Sequence, residues 1–380
     1  MLQWLFKKKT VDATPVQVNI ASSGSGPEIE IDGTKIDTAI AIAAQHQRAG
    51  RDLEAEASFK SFLAANPENA EVLRMLGALK LQMGQHDSAA DLLSRAIALN
   101  PLHPNAHSEL GKVYLETNRI EEAKGCFVKA LELEPNLAEA HYKLGNVYRT
   151  EGKLDAALAC YEKAVSINPN YSEAHNNAGV TYEEKEQRNE SIASYRKALA
   201  INPMLENAQF NLGRLLLRSG NAVEALECFH KTIALNPNSA DAYNLKGDVH
   251  QQRREFTEAI AAYKKALSID AGLADAHNCL GGIYQLQGNL NDAIDSFRGA
   301  ISCRSNFAAA HTNLGMTLLQ IGKSGEAIPM LRHAVTIDPD YAVGYSNYLF
   351  CLLYDESASP EAVFAEHCAF GDHFEKPFRS

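Results

Sequence analysis

Five histidines stand at one position of a 34-residue period: His107, His141, His175, His277 and His311. A histidine row is a metal-ligand pattern, and its chemistry would be coordination by successive imidazoles. Packed helices lie ~8–10 Å apart whereas zinc–nitrogen bonds are ~2 Å long, so equivalent residues of successive units do not reach one ion. The expectation is therefore packed, hydrogen-bonded imidazoles and no metal site. No glycine-rich phosphate loop, nucleophile elbow or paired acid–base motif is present. Neither a cofactor nor a catalytic residue is expected within the chain.

Asparagines carry a second pattern. Asn177, Asn211 and Asn313 stand just before a recurrent glycine, Asn347 holds the matching place near the end, and Asn176, Asn244 and Asn278 hold the adjacent position. A carboxamide offers both donors and acceptors, so it can grip a polypeptide backbone whatever side chains that backbone carries. Rungs ~10 Å apart would meet an extended peptide about every third residue, at ~3.3–3.6 Å per residue. These seven residues are the candidate peptide-binding set. The ladder is incomplete, because Met75, Glu109, Lys143, Leu245 and Cys279 stand where it would place asparagine. The plainer alternative is a tolerated polar residue on an exposed helix face.

The elements that would position these residues follow from the period. Gly77, Gly111, Gly145, Gly179, Gly213, Gly247, Gly281 and Gly315 recur every 34 residues, and Pro67, Pro101, Pro135, Pro169, Pro203 and Pro237 keep the same step. Small residues from Ala55 to Ala327 recur in register, each followed four positions later by a large apolar residue such as Phe59, Tyr161 or Phe297. Spacings of three, four and seven put them on one face of a helix. Each unit then reads as two antiparallel helices, A and B, with proline ending one unit and opening the next.

This pattern, as in HYKLGNVYRTEGKLDAALACYEKAVSINP, resembles the tetratricopeptide repeat family. The resemblance implies an all-α, right-handed superhelical solenoid of helix pairs, whose A helices build a concave face. Nine units are expected over 36–341, after a flexible leader over 1–35 that includes ASSGSGP. A tenth A helix and a junction or capping helix are expected over 342–380. The first unit departs from the pattern at Ala43 and Phe62, as an end unit does.

Composition narrows the partners. A formal net charge of −11 argues against nucleic acid, which is bound through Lys and Arg on phosphates. No apolar run approaches the ~18–20 residues that span a bilayer, and MLQWLFKKKT has the wrong order of charge and apolarity for export. The seven cysteines lack metal-ligand spacing. Cys126, Cys160 and Cys228 each precede an aromatic at one repeat position, as small packing residues would, so a cytoplasmic location is expected.

The segment after the last unit breaks the period. In YSNYLFCLLYDESASPEAVFAEHCAFGDHFEKP, Ser359 suits a helix N-cap and Pro360 the first helical turn. Val363, His367, Phe370 and Phe374 are expected on one side of that helix. Tyr354, Asp355, Ser359, Pro360, Glu361, Phe364, Ala365 and His367 are similar to the junction in bacterial protein O-linked N-acetylglucosamine transferases, where the repeats hand over to a glycosyltransferase domain. That resemblance, with the asparagine ladder, implies a substrate- or adaptor-recognition region that holds extended polypeptide. It implies a downstream or separate glycosyltransferase domain, which these 380 residues do not contain. The alternative is a free-standing or co-chaperone-like assembly scaffold with no link to glycosylation.

Overall fold

The structure, a computed structural model, describes residues 33–355 and 358–375. Most of the leader expected over 1–35 lies outside the described residues. Those described are helical apart from short turns, in two compact units divided between Arg119 and Ile120.

The first unit contains α1 (Gly33–Arg48), α2 (Asp52–Ala65), α3 (Ala70–Gln82), α4 (His86–Leu99) and α5 (Pro104–Glu116). Its core gathers Ala43, Ala55, Phe59, Val72, Leu76 and Leu79. The starts of α3 and α5 are capped by side chains: Asn69 Oδ1 accepts from Val72 N at 2.9 Å, and His103 Nδ1 accepts from Ala106 N at 3.4 Å, just before Pro104.

The second unit runs from α6 (Ile120–Leu133) through α7 (Ala138–Thr150), α8 (Leu154–Ile167), α9 (Ser172–Glu184) and α10 (Arg188–Ile201). It continues with α11 (Glu206–Arg218), α12 (Ala222–Leu235), α13 (Ala240–Gln252), α14 (Phe256–Ile269) and α15 (Ala274–Leu286). The last helices are α16 (Leu290–Cys303), α17 (Ala308–Gln320), α18 (Ser324–Ile337), α19 (Ala342–Leu352) and α20 (Pro360–Phe370). A short π turn, Gly371–Glu375, follows. Each A helix from α7 to α17 packs most extensively on the B helix after it, and more lightly on the B helix before it.

The recurrent glycine explains that order. A methyl added at Gly145 would lie 2.7 Å from Tyr161 Cε1, and at Gly247 2.6 Å from Tyr263 Cε1. Both tyrosines are fully buried, so helix A presses its bare backbone on the aromatic of helix B. Leucine, tyrosine or phenylalanine meets the glycine in the same way at Gly77, Gly179, Gly213, Gly281 and Gly315.

A different constraint shapes the turn from A to B. Gly84, Gly152, Gly220, Gly288 and Gly322 take φ of 70–81°, and at the same repeat position Asn118, Glu186 and Arg254 take φ near 60°. Between B and the next A, the asparagine of each Asn-Pro closes a local turn; Asn168, Asn202 and Asn236 each accept from the backbone N–H two residues on, at 3.0–3.1 Å.

At the far end, Ser359 Oγ caps α20 by accepting from Ala362 N at 3.2 Å. Val363 and Phe370 pack against a cluster that includes Tyr348, Leu349 and Leu352. The inward stripe of α20 differs from the sequence expectation. His367 is exposed, and Glu366 turns inward, where it accepts from the Tyr345 and Tyr348 hydroxyls at 3.4 and 3.5 Å. Two phenol donors on α19 make the carboxylate the better inward group. No described helix is long and apolar enough to cross a membrane.

Candidate peptide-binding face

Within each unit, residues that lie three and two positions before the recurrent glycine face the neighbouring A helix. The contact recurs with a separation of 35 residues. In the first unit it is an ion pair, Arg74 Nη1 to Glu109 Oε1 at 2.6 Å. In the second unit Asn177 Nδ2 donates to the Tyr142 hydroxyl at 3.1 Å, Asn211 Nδ2 to Asn176 Oδ1 at 3.5 Å, and Asn313 Nδ2 to Asn278 Oδ1 at 3.0 Å.

The candidate asparagines are therefore bonded to one another. Asn177 also donates to Asn146 Oδ1 at 2.8 Å and accepts from Asn176 Nδ2 at 3.1 Å. Both of its amide hydrogens and one lone pair are spent. Asn211 and Asn313 use one amide hydrogen each, and keep the second hydrogen and the carbonyl oxygen for another partner. Asn176 is buried, while Asn347 is half-buried on α19. Three rungs of the second unit lack the bond, one of them the apolar pair Phe210 and Leu245. Asn244 Oδ1, whose 35-residue counterpart is Cys279, is buried with no partner, and so is Thr312 Oγ1, whose counterpart is Asn347.

Asn146 was not among the sequence candidates. It follows Gly145, and the buried Tyr161 hydroxyl donates to its Oδ1 at 2.8 Å. Asp248 follows Gly247 and receives the Tyr263 hydroxyl at 2.7 Å in the same way. The readable signal was a polar residue directly after the glycine, paired with tyrosine fifteen positions later. Ion pairs brace the same face nearer the helix ends: Arg149 with Glu184 at 3.0 Å, and Arg214 and Arg218 with Glu183 at 3.1 Å each.

The histidine row is absorbed by packing. His107, His141 and His311 each place Nε2 2.9 Å from the carbonyl oxygen six residues earlier, an acceptor that requires the proton on Nε2. Burial holds His175 and His311 below the ordinary imidazole range. Among the described residues, no three His, Cys, Asp or Glu side chains gather as a metal site.

Sequence patterns of the tetratricopeptide repeat match residues 48–101, 80–147, 145–186, 172–203, 210–274 and 308–341. These are tetratricopeptide repeats. Similar solved structures include pilF of Pseudomonas aeruginosa, at 23% identity and TM-score 0.50, covering 55% of this chain and 94% of that one. The Cut9-Hcn1 hetero-tetramer of the APC/C aligns at 18% identity and TM-score 0.52, over 81% of this chain and 60% of that chain. YrrB, described as a tetratricopeptide protein with an unusual peptide-binding site, aligns at 25% identity and TM-score 0.44, over 49% of this chain and 96% of that one. A search of curated proteins found no match.

Proposed function

We propose that the A-helix face of the second unit holds an extended polypeptide, through amide groups that the ladder leaves unspent. The observation that carries this reading is the half-used state of Asn211 and Asn313. Each is fixed in place by one hydrogen bond, yet retains a donor and an acceptor for a passing backbone. Asn347 extends the row, while Asn177 supports it from within the network. Replacing Asn211 and Asn313 together by Ala is expected to weaken binding of a peptide selected from a random library by about tenfold, the value of one or two hydrogen bonds. Fluorescence anisotropy measures it, and an unchanged affinity overturns the role of the ladder.

The finer reading is the recognition region of an O-linked N-acetylglucosamine transferase-like protein in a reducing, cytoplasmic setting. It is supported by YDESASPEAVFAEH and by the surface around it. Phe350, Leu353 and Tyr354 are exposed, and Phe364 on α20 is 70% exposed. Such apolar groups suit contact with a further domain or chain. The reading frame after Ser380 is the test. An encoded α/β glycosyltransferase domain supports the reading; its absence there, with no glycosyltransferase chain retained by the immobilised protein, favours the scaffold alternative.

A further inference from the structure

The second unit has a cleft of about 630 Å³ on its A-helix face, lined by residues of α11, α13 and α15. Leu217 and Leu245 supply apolar wall, Asp248 and Gln251 supply oxygen acceptors, and Arg214 and Arg218 stand among the lining residues. The arginines are committed elsewhere, because both reach the Glu183 carboxylate at 3.1 Å.

Asp248 is half-buried and has no cationic partner among the described residues. Its one hydrogen bond is from the Tyr263 hydroxyl, at 2.7 Å. That hydroxyl lies equally close to Gln251 Oε1, so two acceptors converge on a single hydrogen. Burial pushes the Asp248 carboxyl above its ordinary range, and the nearby charge that acts on it, Asp275, has the same sign. Three other half-buried carboxylates of the A helices, Glu71, Glu109 and Glu183, have arginine against them, and Glu206 receives the Asn236 amide at 3.0 Å. A buried carboxylate without a cation is costly, and a cation brought by a partner relieves that cost.

We propose that this cleft is a side-chain subsite for lysine or arginine of the bound polypeptide. The aliphatic stem lies along Leu217 and Leu245, and the cationic head donates to Asp248 and Gln251. The subsite rests on the reading of the A-helix face as a polypeptide-binding surface, and it adds to a backbone grip the side-chain preference that asparagines cannot supply.

A random dodecapeptide phage library panned on the intact chain tests it. The expected result is enrichment of Lys or Arg at one fixed position. A synthetic peptide of the selected sequence is expected to lose about tenfold in affinity when that residue becomes Ala, and as much when the protein carries Asp248→Asn. Combining the two changes should cost little more than either alone, since they remove the same contact. Asp248→Asn keeps an oxygen for Tyr263, and its melting temperature checks that the fold is retained. Selected peptides without a basic preference, or an unchanged affinity in Asp248→Asn, overturn the subsite and leave the backbone reading standing. Enrichment of acidic residues, lost in Arg214→Ala, overturns it in favour of the arginines. Failure to select any peptide overturns the face and the subsite together.

Discussion

At the residue scale, Asn244 and Cys279 form one of the rungs where the ladder fails. Asn244 Oδ1 is buried without a donor, and burial raises the Cys279 thiol to about 11, so it stays protonated. Cys279→Asn places an amide donor opposite that oxygen, as Asn313 stands to Asn278. It is expected to stabilise the second unit by about 1 kcal/mol, the usual net value of one hydrogen bond, read from denaturant melts. Glu186 and Arg254 hold left-handed φ that six glycines, Gly50 among them, hold at the same repeat position. Glycine relieves about 1 kcal/mol of that strain, partly offset by its entropy in the unfolded chain, so Arg254→Gly is expected to raise the denaturation midpoint. A lower midpoint would mean that Arg254 contributes more through its side chain than its backbone costs.

At the scale of elements, the glycine–aromatic contact decides how closely A and B approach. Gly247→Ala improves helix propensity by about 1 kcal/mol, but its methyl would sit 2.6 Å from the Tyr263 ring. Overpacking costs about 1–3 kcal/mol, so the substitution is expected to lower stability, which thermal melts check. This contact was legible in the sequence, because Gly247 and Tyr263 repeat in fixed register. The ladder was legible only by position: the period put asparagines on one face, but could not show that Asn211 reaches back to Asn176. That bond depends on the offset between adjacent A helices, which no single helix encodes. Asp248 escaped notice for the same reason, since its tyrosine lies across the helix pair. On α20 the stripe of Val363 and Phe370 was legible, but His367 was expected inward in place of Glu366; both fall within one turn of Val363, and the two phenols of α19 favour the carboxylate.

At the scale of the molecule, acid is expected to destabilise the fold. Burial lowers His175 and His311 in the folded state, whereas in the unfolded chain each binds its proton near pH ~6.5. Below that pH the unfolded state takes up more protons, so the stability present at pH 7.5 is lost progressively toward pH 5.5. Melting temperatures at those two values test the sign, and the difference should shrink in His311→Gln. The far end also has a distinct role. Tyr348, Leu349, Cys351 and Leu352 join Leu314, Leu318 and Leu331 in one buried cluster. A chain ending at Tyr341 uncovers those leucines, and is expected to melt lower and to self-associate in sedimentation; a monomer of unchanged stability would show that α17 and α18 need no cover.

The ladder also acts as stitching. A solenoid gains its stiffness from whatever crosses the seams between successive repeats, and side-chain bonds on the A helices cross them on one side only. The seams from α7 to α9, α9 to α11 and α15 to α17 are sewn by amide bonds, whereas those from α13 to α15 and α17 to α19 carry an oxygen with nothing to hold. A pull along the second unit should stretch the unsewn seams first, so that the compliance of this spring is written rung by rung in single side chains.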